Sequence, residues 1–218
     1  MYQKMGFLPE GLLNYLALLG WSPGNDVEFF SLADMARDFD ISRVNASPAR
    51  FDLKKAIVLN ADWVRAVKPQ ELANRIKPYL VEAGVLPAEP TPEQLQILIA
   101  ATPLVSERIE VLSQAAGMLG FLFAGENLII EEDAAKILAE PDAAVVRAAA
   151  VSVLESCEPW LTPSIKDVLQ KRLVDEMGLK PREAFGVLRA AITGRKVSPP
   201  LFESMELLGR TQTLSRLR

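Results

Sequence analysis

The sequence predicts an all-α fold: helical bundles in an elongated arrangement, with no substantial sheet. Three observations predict it. Apolar residues recur at three- and four-residue spacing along most of the 218 residues. Ser or Thr precedes Pro at Thr91-Pro92, Thr102-Pro103, Thr162-Pro163 and Ser198-Pro199, each pairing a capping hydroxyl with a proline suited to the first helical turn. Gly20, Gly84, Gly178, Gly194 and Gly209 close apolar runs, where a left-handed residue is tolerated after the last turn.

In chain order, Leu12, Leu13, Leu16 and Leu19, with Tyr15 alongside, form the first helical stripe. VEFF (27–30) and NLIIE (127–131) are the candidates for extended pieces, but no alternating run is long enough to build a sheet. Leu53, Ile57, Val58 and Val64 form a second stripe after Asp52, which reads as a helix cap. Pro78 lies within ELANRIKPYLVEAG and predicts a kink or an end near Lys77. The proline-rich stretch VLPAEPTPEQ (85–94) reads as an extended connection, and AEPDA (139–143) as a shorter break. Val145, Ala149, Val153 and Leu154 follow Asp142 at helical spacing. These stripes read as core. The breaks suggest three parts, residues 1–68, 69–139 and 140–218, and no fixed-period repeat points to a solenoid.

Composition removes most catalytic chemistry. There is no His, hence no usual general base, no commonest metal ligand and no nucleophile–His pair. No GxxxxGK[ST] or GxGxxG stretch offers a phosphate cradle. The single cysteine, Cys157, lies in an apolar run and reads as a buried thiol of a reducing compartment. The N-terminal apolar run is too short for a membrane span and lacks a signal-peptide pattern. The expectation is a soluble, cytoplasmic chain with no catalytic residue, metal site or cofactor of its own.

Charge is distributed unevenly. The chain carries a net −4, yet residues 186–218 hold Arg189, Arg195, Lys196, Arg210, Arg216 and Arg218 against Glu203 and Glu206. A basic end on an acidic protein suggests a polyanion partner, and a solvated or fraying end would tolerate it too. Within this tail Arg189 lies on a helix ending at Gly194, and Ser198-Pro199-Pro200 precedes Leu201 and Phe202. Backbone N–H groups at a helix start attract phosphate, and a guanidinium pairs with phosphate or a base edge. An apolar or aromatic side chain there would stack on an unpaired base of a single-stranded RNA loop. By spacing alone, Leu201 and Phe202 read first as the core of the last bundle.

A second basic cluster, Arg43, Arg50, Lys54 and Lys55, surrounds Asp52. Its lysines oppose the dipole of the helix that Asp52 caps, so an external phosphate or plain surface placement explains them. Arg108, in TPLVSERIEVLSQ, has Glu107 and Glu110 nearby and reads locally as a surface ion pair. GMLGFLF (117–123) is apolar enough to be core or, on the rival reading of a helical protein–protein adaptor, an interface.

Two long stretches carry a more specific signal. GFLPEGLLNYLALLGWSPG with FSLADMARDFDISRVNASPARFDLKKAIVLNADWVR, and the closing LRAAITGRKVSPPLFESMELLGRTQTLSRLR, resemble bacterial glutamyl-tRNA synthetases beyond their second ATP-site signature. The resemblance implies a tRNA-binding fragment: a stem-contact subdomain (1–68) and two helical anticodon-binding subdomains. ATP and Mg would belong to a catalytic domain whose HIGH-type and KMSK-type signatures are absent here. It further implies anticodon-loop contacts by Arg189, Ser198, Pro199, Leu201 and Phe202, with Lys171 and Arg172 approaching the loop. Arg108 is similar to the arginine that inspects the third anticodon base. Arg43, Arg50, Lys54 and Lys55 would meet the tRNA backbone. The implied partner is tRNA-Glu, with tRNA-Gln left open, and neither DNA nor membrane; a monomer is expected. The chain departs from the family where Thr211-Gln212-Thr213 replaces an acid after Gly209-Arg210.

Overall fold

The computed structural model describes residues 1–24, 26–45 and 49–218. Among them it contains thirteen α-helices, a 3-10 turn, a π-helical segment and no strand. The stretches 27–30 and 127–131 belong to neither a helix nor a strand. No helix is long and apolar enough to cross a membrane among the described residues.

Helices α1 (Tyr2–Met5), α2 (Pro9–Leu18), α3 (Leu32–Asp38) and α4 (Leu53–Ala66) form the first part of the chain. Asp52 caps α4 as its sequence suggests, accepting from the Lys54 and Lys55 amides at 2.9 and 3.3 Å. Phe7, Tyr15, Ala56, Leu59 and Val111 make a small apolar core. Two buried amides pin it: Asn60 accepts from the Leu8 amide at 2.8 Å and donates to the Glu110 carbonyl at 2.6 Å. Asn14 accepts from Trp63 Nε1 at 3.0 Å and donates to the Glu28 carbonyl at 2.9 Å. Each bond satisfies a polar group that would otherwise be costly to bury.

A second core is built by α5 (Pro69–Glu82), α6 (Pro92–Ser106) and α7 (Gln114–Phe123). Ile76, Leu80, Leu98 and Leu119 are sealed within it, and each such side chain contributes roughly 1.5–3 kcal/mol. Thr91 opens α6 with a capping box closed by Gln94, as its position before Pro92 predicts. Neither of two nearby prolines marks a helix boundary. Helix α5 continues through Pro78 to Glu82, and Thr102-Pro103 lies inside α6. Thr102 is buried and its hydroxyl donates to the Leu98 carbonyl at 2.8 Å, so it bonds back along the helix instead of capping a new one. Tertiary packing on both sides outweighs the cost of the missing proline N–H. Segment 117–123 is core: Leu119, Phe121 and Leu122 are buried in it, which removes the apolar interface that the adaptor reading needs.

The third core unites α8 (Glu132–Leu138), α9 (Ala143–Leu154), α10 (Thr162–Leu169), the π-helical segment Gln170–Glu176, α11 (Pro181–Thr193), α12 (Leu201–Leu208) and α13 (Arg210–Leu217). Cys157 is buried here as expected, and burial pushes its thiol pKa up. Leu208, the last residue of α12, packs against both the second and third cores, and α12 lies on α6, so the two bodies meet along α12.

Candidate nucleic-acid interface

Helix α11 starts at Pro181, where the missing N–H costs nothing, and stops at Gly194 in a left-handed conformation with φ +70°. A Cβ at Gly194 would collide with the Ile129 carbonyl oxygen. The chain therefore passes closely under segment 127–131, and the Glu131 amide donates to the Gly194 carbonyl at 2.8 Å. Residues 195–200 then turn back along α11, bringing Ser198 and Pro199 over Arg189.

Arg189 organises that turn. Its Nη1 donates to the Ser198 hydroxyl at 2.8 Å and to the Pro199 carbonyl at 2.8 Å, with the Ser198 carbonyl at 3.4 Å. These bonds leave Nε and Nη2 of the half-buried guanidinium available to an outside acceptor. Burial, chiefly, and then the charge of Arg108 hold the Arg189 pKa below its ordinary value. Ser198 is thus no helix cap. Helix α12 begins two residues beyond Pro199, at Leu201, and the serine hydroxyl serves the arginine instead.

Arg108, remote in sequence and two residues beyond the end of α6, lies near enough for that electrostatic effect. It is exposed, its Nη1 reaches the Leu104 carbonyl at 3.4 Å, and among the described residues it pairs with neither Glu107 nor Glu110. The locally expected ion pair is replaced by an arginine facing solvent beside another arginine. Two cations that feel each other's charge, neither in an ion pair among the described residues, raise the local potential for an anion.

Leu201 and Phe202 divide their tasks. Leu201 is 4% exposed and belongs to the core, so it cannot offer a stacking face. Phe202 is half-buried and meets Phe185 edge to face at 5.1 Å. Phe185 was missed in the sequence; its signal is the four-residue step to Arg189 that puts both on one side of α11. Lys171 is exposed on the π-helical segment, while Arg172 pairs with Glu176 at 3.0 Å. That segment reaches the third core through buried Leu173.

The N-terminal cations form a separate group. Arg43, Arg50 and Lys54 are exposed; Arg43 donates to the Pro23 carbonyl at 3.2 Å, and Lys55 pairs with Glu28 at 2.5 Å. Residues 46–48, between Arg43 and Arg50, lie outside the described residues.

The basic tail has an internal explanation that its sequence did not reveal. Arg195 holds Glu131 (Nε–Oε1 2.7 Å) and the Gly117 carbonyl. Arg210 holds Glu158 at 2.7 Å and the Cys157 carbonyl, and lies 5.3 Å over the Trp160 ring. Arg216 donates to three carbonyls, and Arg218 pairs with Glu155 at 2.8 Å. Gln212, in the departing Thr211-Gln212-Thr213 stretch, donates to the Gly125 carbonyl at 2.8 Å, and Thr213 is buried. Most of the tail's charge thus binds the protein to itself, and Arg189 with Arg108 and exposed Lys196 remain facing outward.

The outward face of this all-α body thus carries a braced arginine, a second arginine with no ion pair among the described residues, and a phenylalanine packed edge to face. Residues 71–218 match the family model described as anticodon binding domain, and the chain belongs to that family. Residues 1–57 match the model described as the catalytic domain of class I tRNA synthetases (E and Q). Among curated relatives, the glutamate–tRNA ligases of Saccharopolyspora erythraea and Kineococcus radiotolerans are 52% and 50% identical over 217 residues. The whole of this chain aligns to each, yet it spans 43% of their length. A crystal structure of a glutamate tRNA ligase from Elizabethkingia meningosepticum aligns with a TM-score of 0.83 at 25% identity, covering 99% of this chain and 41% of that one. The chain is homologous to the anticodon-binding region of these ligases.

Proposed function

We propose that residues 1–218 hold the anticodon arm of a glutamate-accepting tRNA, within a longer enzyme that attaches glutamate to it in the cytoplasm. The observation that carries this reading is Arg189 braced on the Ser198-Pro199 turn, with Phe202 following it at the start of α12 and Arg108 near enough to act on Arg189 through its charge. Arg189, through its free nitrogens, and Arg108 test bases or pair with phosphate; Phe202 supplies an aromatic edge; Ser198 and Pro199 set the arginine; Leu201 anchors the turn from below. Lys171 and Arg172 approach the same loop. Arg43, Arg50, Lys54 and Lys55 meet the tRNA backbone and position it without reading sequence.

The three apolar cores support a division of labour among three parts near residues 1–68, 69–139 and 140–218, although Leu8 and Val64 lend the second core residues from the first part and Ile137 and Leu138 of α8 pack on the third core. The match of residues 1–57 to a catalytic-domain model fits a first part that joins the anticodon-binding helices to the chemistry. On this reading the chain by itself is not a catalyst, and ATP and Mg are handled by the remainder of the enzyme.

The test is binding of the chain to tRNA-Glu, tRNA-Gln and an unrelated tRNA across a salt series. Phosphate contacts make log K fall linearly with log salt, whereas an apolar protein interface barely responds. The expected result is a steep salt dependence with preference for tRNA-Glu. Equal binding of all three tRNAs, unaffected by Arg189→Ala and Phe202→Ala, overturns the reading.

A further inference from the structure

We propose that Arg216 is a positioning residue for RNA recognition: it ties the carboxyl ends of two helices, one from each of the last two cores, and so fixes the separation of Arg108 and Arg189. The functional half of this inference rests on the reading that those two arginines face RNA.

Arg216 lies on α13 and bonds to neither Arg189 nor Arg108, and among the described residues its hydrogen-bond partners are all backbone carbonyls. Its Nη1 donates to the Ile192 carbonyl at 2.6 Å, in the last turn of α11. Its Nη2 donates to the Phe121 carbonyl at 2.8 Å, in the last turn of α7, and to the Gly125 carbonyl at 3.2 Å just beyond. Carbonyls of a last helical turn have no partner within the helix and carry the negative end of its dipole. One guanidinium therefore satisfies orphan acceptors on two helices at once, which a planar fork can do and a point charge cannot.

The two helices belong to different bodies. Phe121 and Leu122 of α7 are part of the second core, while Leu188 and Ile192 of α11 are part of the third. Arg108 directly precedes Ile109 of the second core, and Arg189 directly follows Leu188 of the third. Their separation is set by how the bodies sit against each other. Arg195, on Glu131 and Gly117, and Gln212, on Gly125, strengthen the same seam. Burial pushes the Arg216 pKa down to about 10, and among the described residues no carboxylate compensates it. Its Nε is also buried without a partner. These costs are large for a residue needed only for cohesion, where an apolar side chain would serve; bridging two bodies requires the fork.

The test uses the full chain in two measurements. First, spin labels on Glu110→Cys and Lys196→Cys report the distance between the bodies without RNA; buried Cys157 stays unlabelled. Arg216→Met is expected to broaden that distance distribution, and Arg216→Lys to broaden it less. Second, affinity for tRNA-Glu is compared with that for the same transcript carrying one changed anticodon base. Arg216→Met is expected to lower this ratio about 3- to 10-fold, with an unchanged salt slope and no further loss in an Arg108→Ala background. An unchanged distance distribution in folded Arg216→Met overturns the proposal, as does a ratio loss that adds independently to Arg108→Ala. Should Arg216→Met not fold, Arg216→Lys decides by the same two readouts. A broadened distribution with no tRNA preference in the wild-type chain instead rejects the reading of the site and leaves Arg216 as a mechanical tie alone.

Discussion

Arg189 donates through one guanidinium nitrogen to the Ser198 hydroxyl at 2.8 Å, and this contact fixes the arginine against the turn that precedes α12. A flexible arginine loses rotamer freedom on meeting RNA; a braced one has already lost it during folding. Arg189→Ala should therefore weaken tRNA-Glu binding by about 1–3 kcal/mol and relax base preference. Arg189→Lys keeps the charge but cannot both hold the turn and point two donors outward, so it should recover little. Ser198→Ala should give a smaller loss, of about 0.5–1.5 kcal/mol, because the Pro199 carbonyl still holds the arginine. Filter-binding titrations at one fixed salt concentration measure all three.

Phosphate contacts should behave otherwise. Lys54 and Arg50 are exposed and make no ion pair among the described residues. Replacing either by Ala should weaken every tRNA to the same extent and reduce the slope of log K against log salt by about 1. A change confined to tRNA-Glu would show base reading there instead. Lys55 should matter less, since Glu28 already competes for its ammonium at 2.5 Å.

Gly194 has no room for a side chain. Its backbone is left-handed, at φ +70°, and an added Cβ meets the Ile129 carbonyl oxygen. Gly194→Ala should cost about 1–2 kcal/mol from the backbone conformation alone, with the collision adding to it. Gly178 shares the φ but nothing lies near its Cβ, so Gly178→Ala should pay the conformational part only. Thermal melts of the two variants side by side separate the terms.

Acid should loosen the junction between α2 and α5. Arg75 donates to both carboxylate oxygens of Glu10, at 2.9 and 2.8 Å, and these bonds are the main cause of a lowered Glu10 pKa, opposed by burial. A carboxylate whose folded pKa lies below its unfolded value stabilises the protein above the latter. That contribution should be complete above about pH 4.5 and fade as pH falls through the lower folded value. Glu10→Gln should flatten the difference: its melting temperature should lie below wild type at pH 6 and converge with it in acid. Parallel pH curves for the two proteins would remove Glu10 as the titrating group.

Sequence alone determined the class of this molecule, because helix periodicity and capping are settled within a few residues. Asp52 caps α4, Thr91 closes its box with Gln94, and Gly194 stops α11, all through contacts that neighbours in the chain provide. The stretches that carry the family likeness were legible for the same reason. Only the tertiary structure decided what Thr102, Ser198 and the basic tail do. Thr102 lies inside a helix because packing holds α6 together past Pro103; Ser198 serves Arg189; Arg195, Arg210 and Arg216 serve carbonyls from remote parts of the chain. A guanidinium carries five donors on a long stem, and its nearest acceptors in space are set by how helices pack, which no local pattern of residues encodes. The electrostatic influence of Arg108 on Arg189 is likewise a matter of packing, since the two are far apart in the chain.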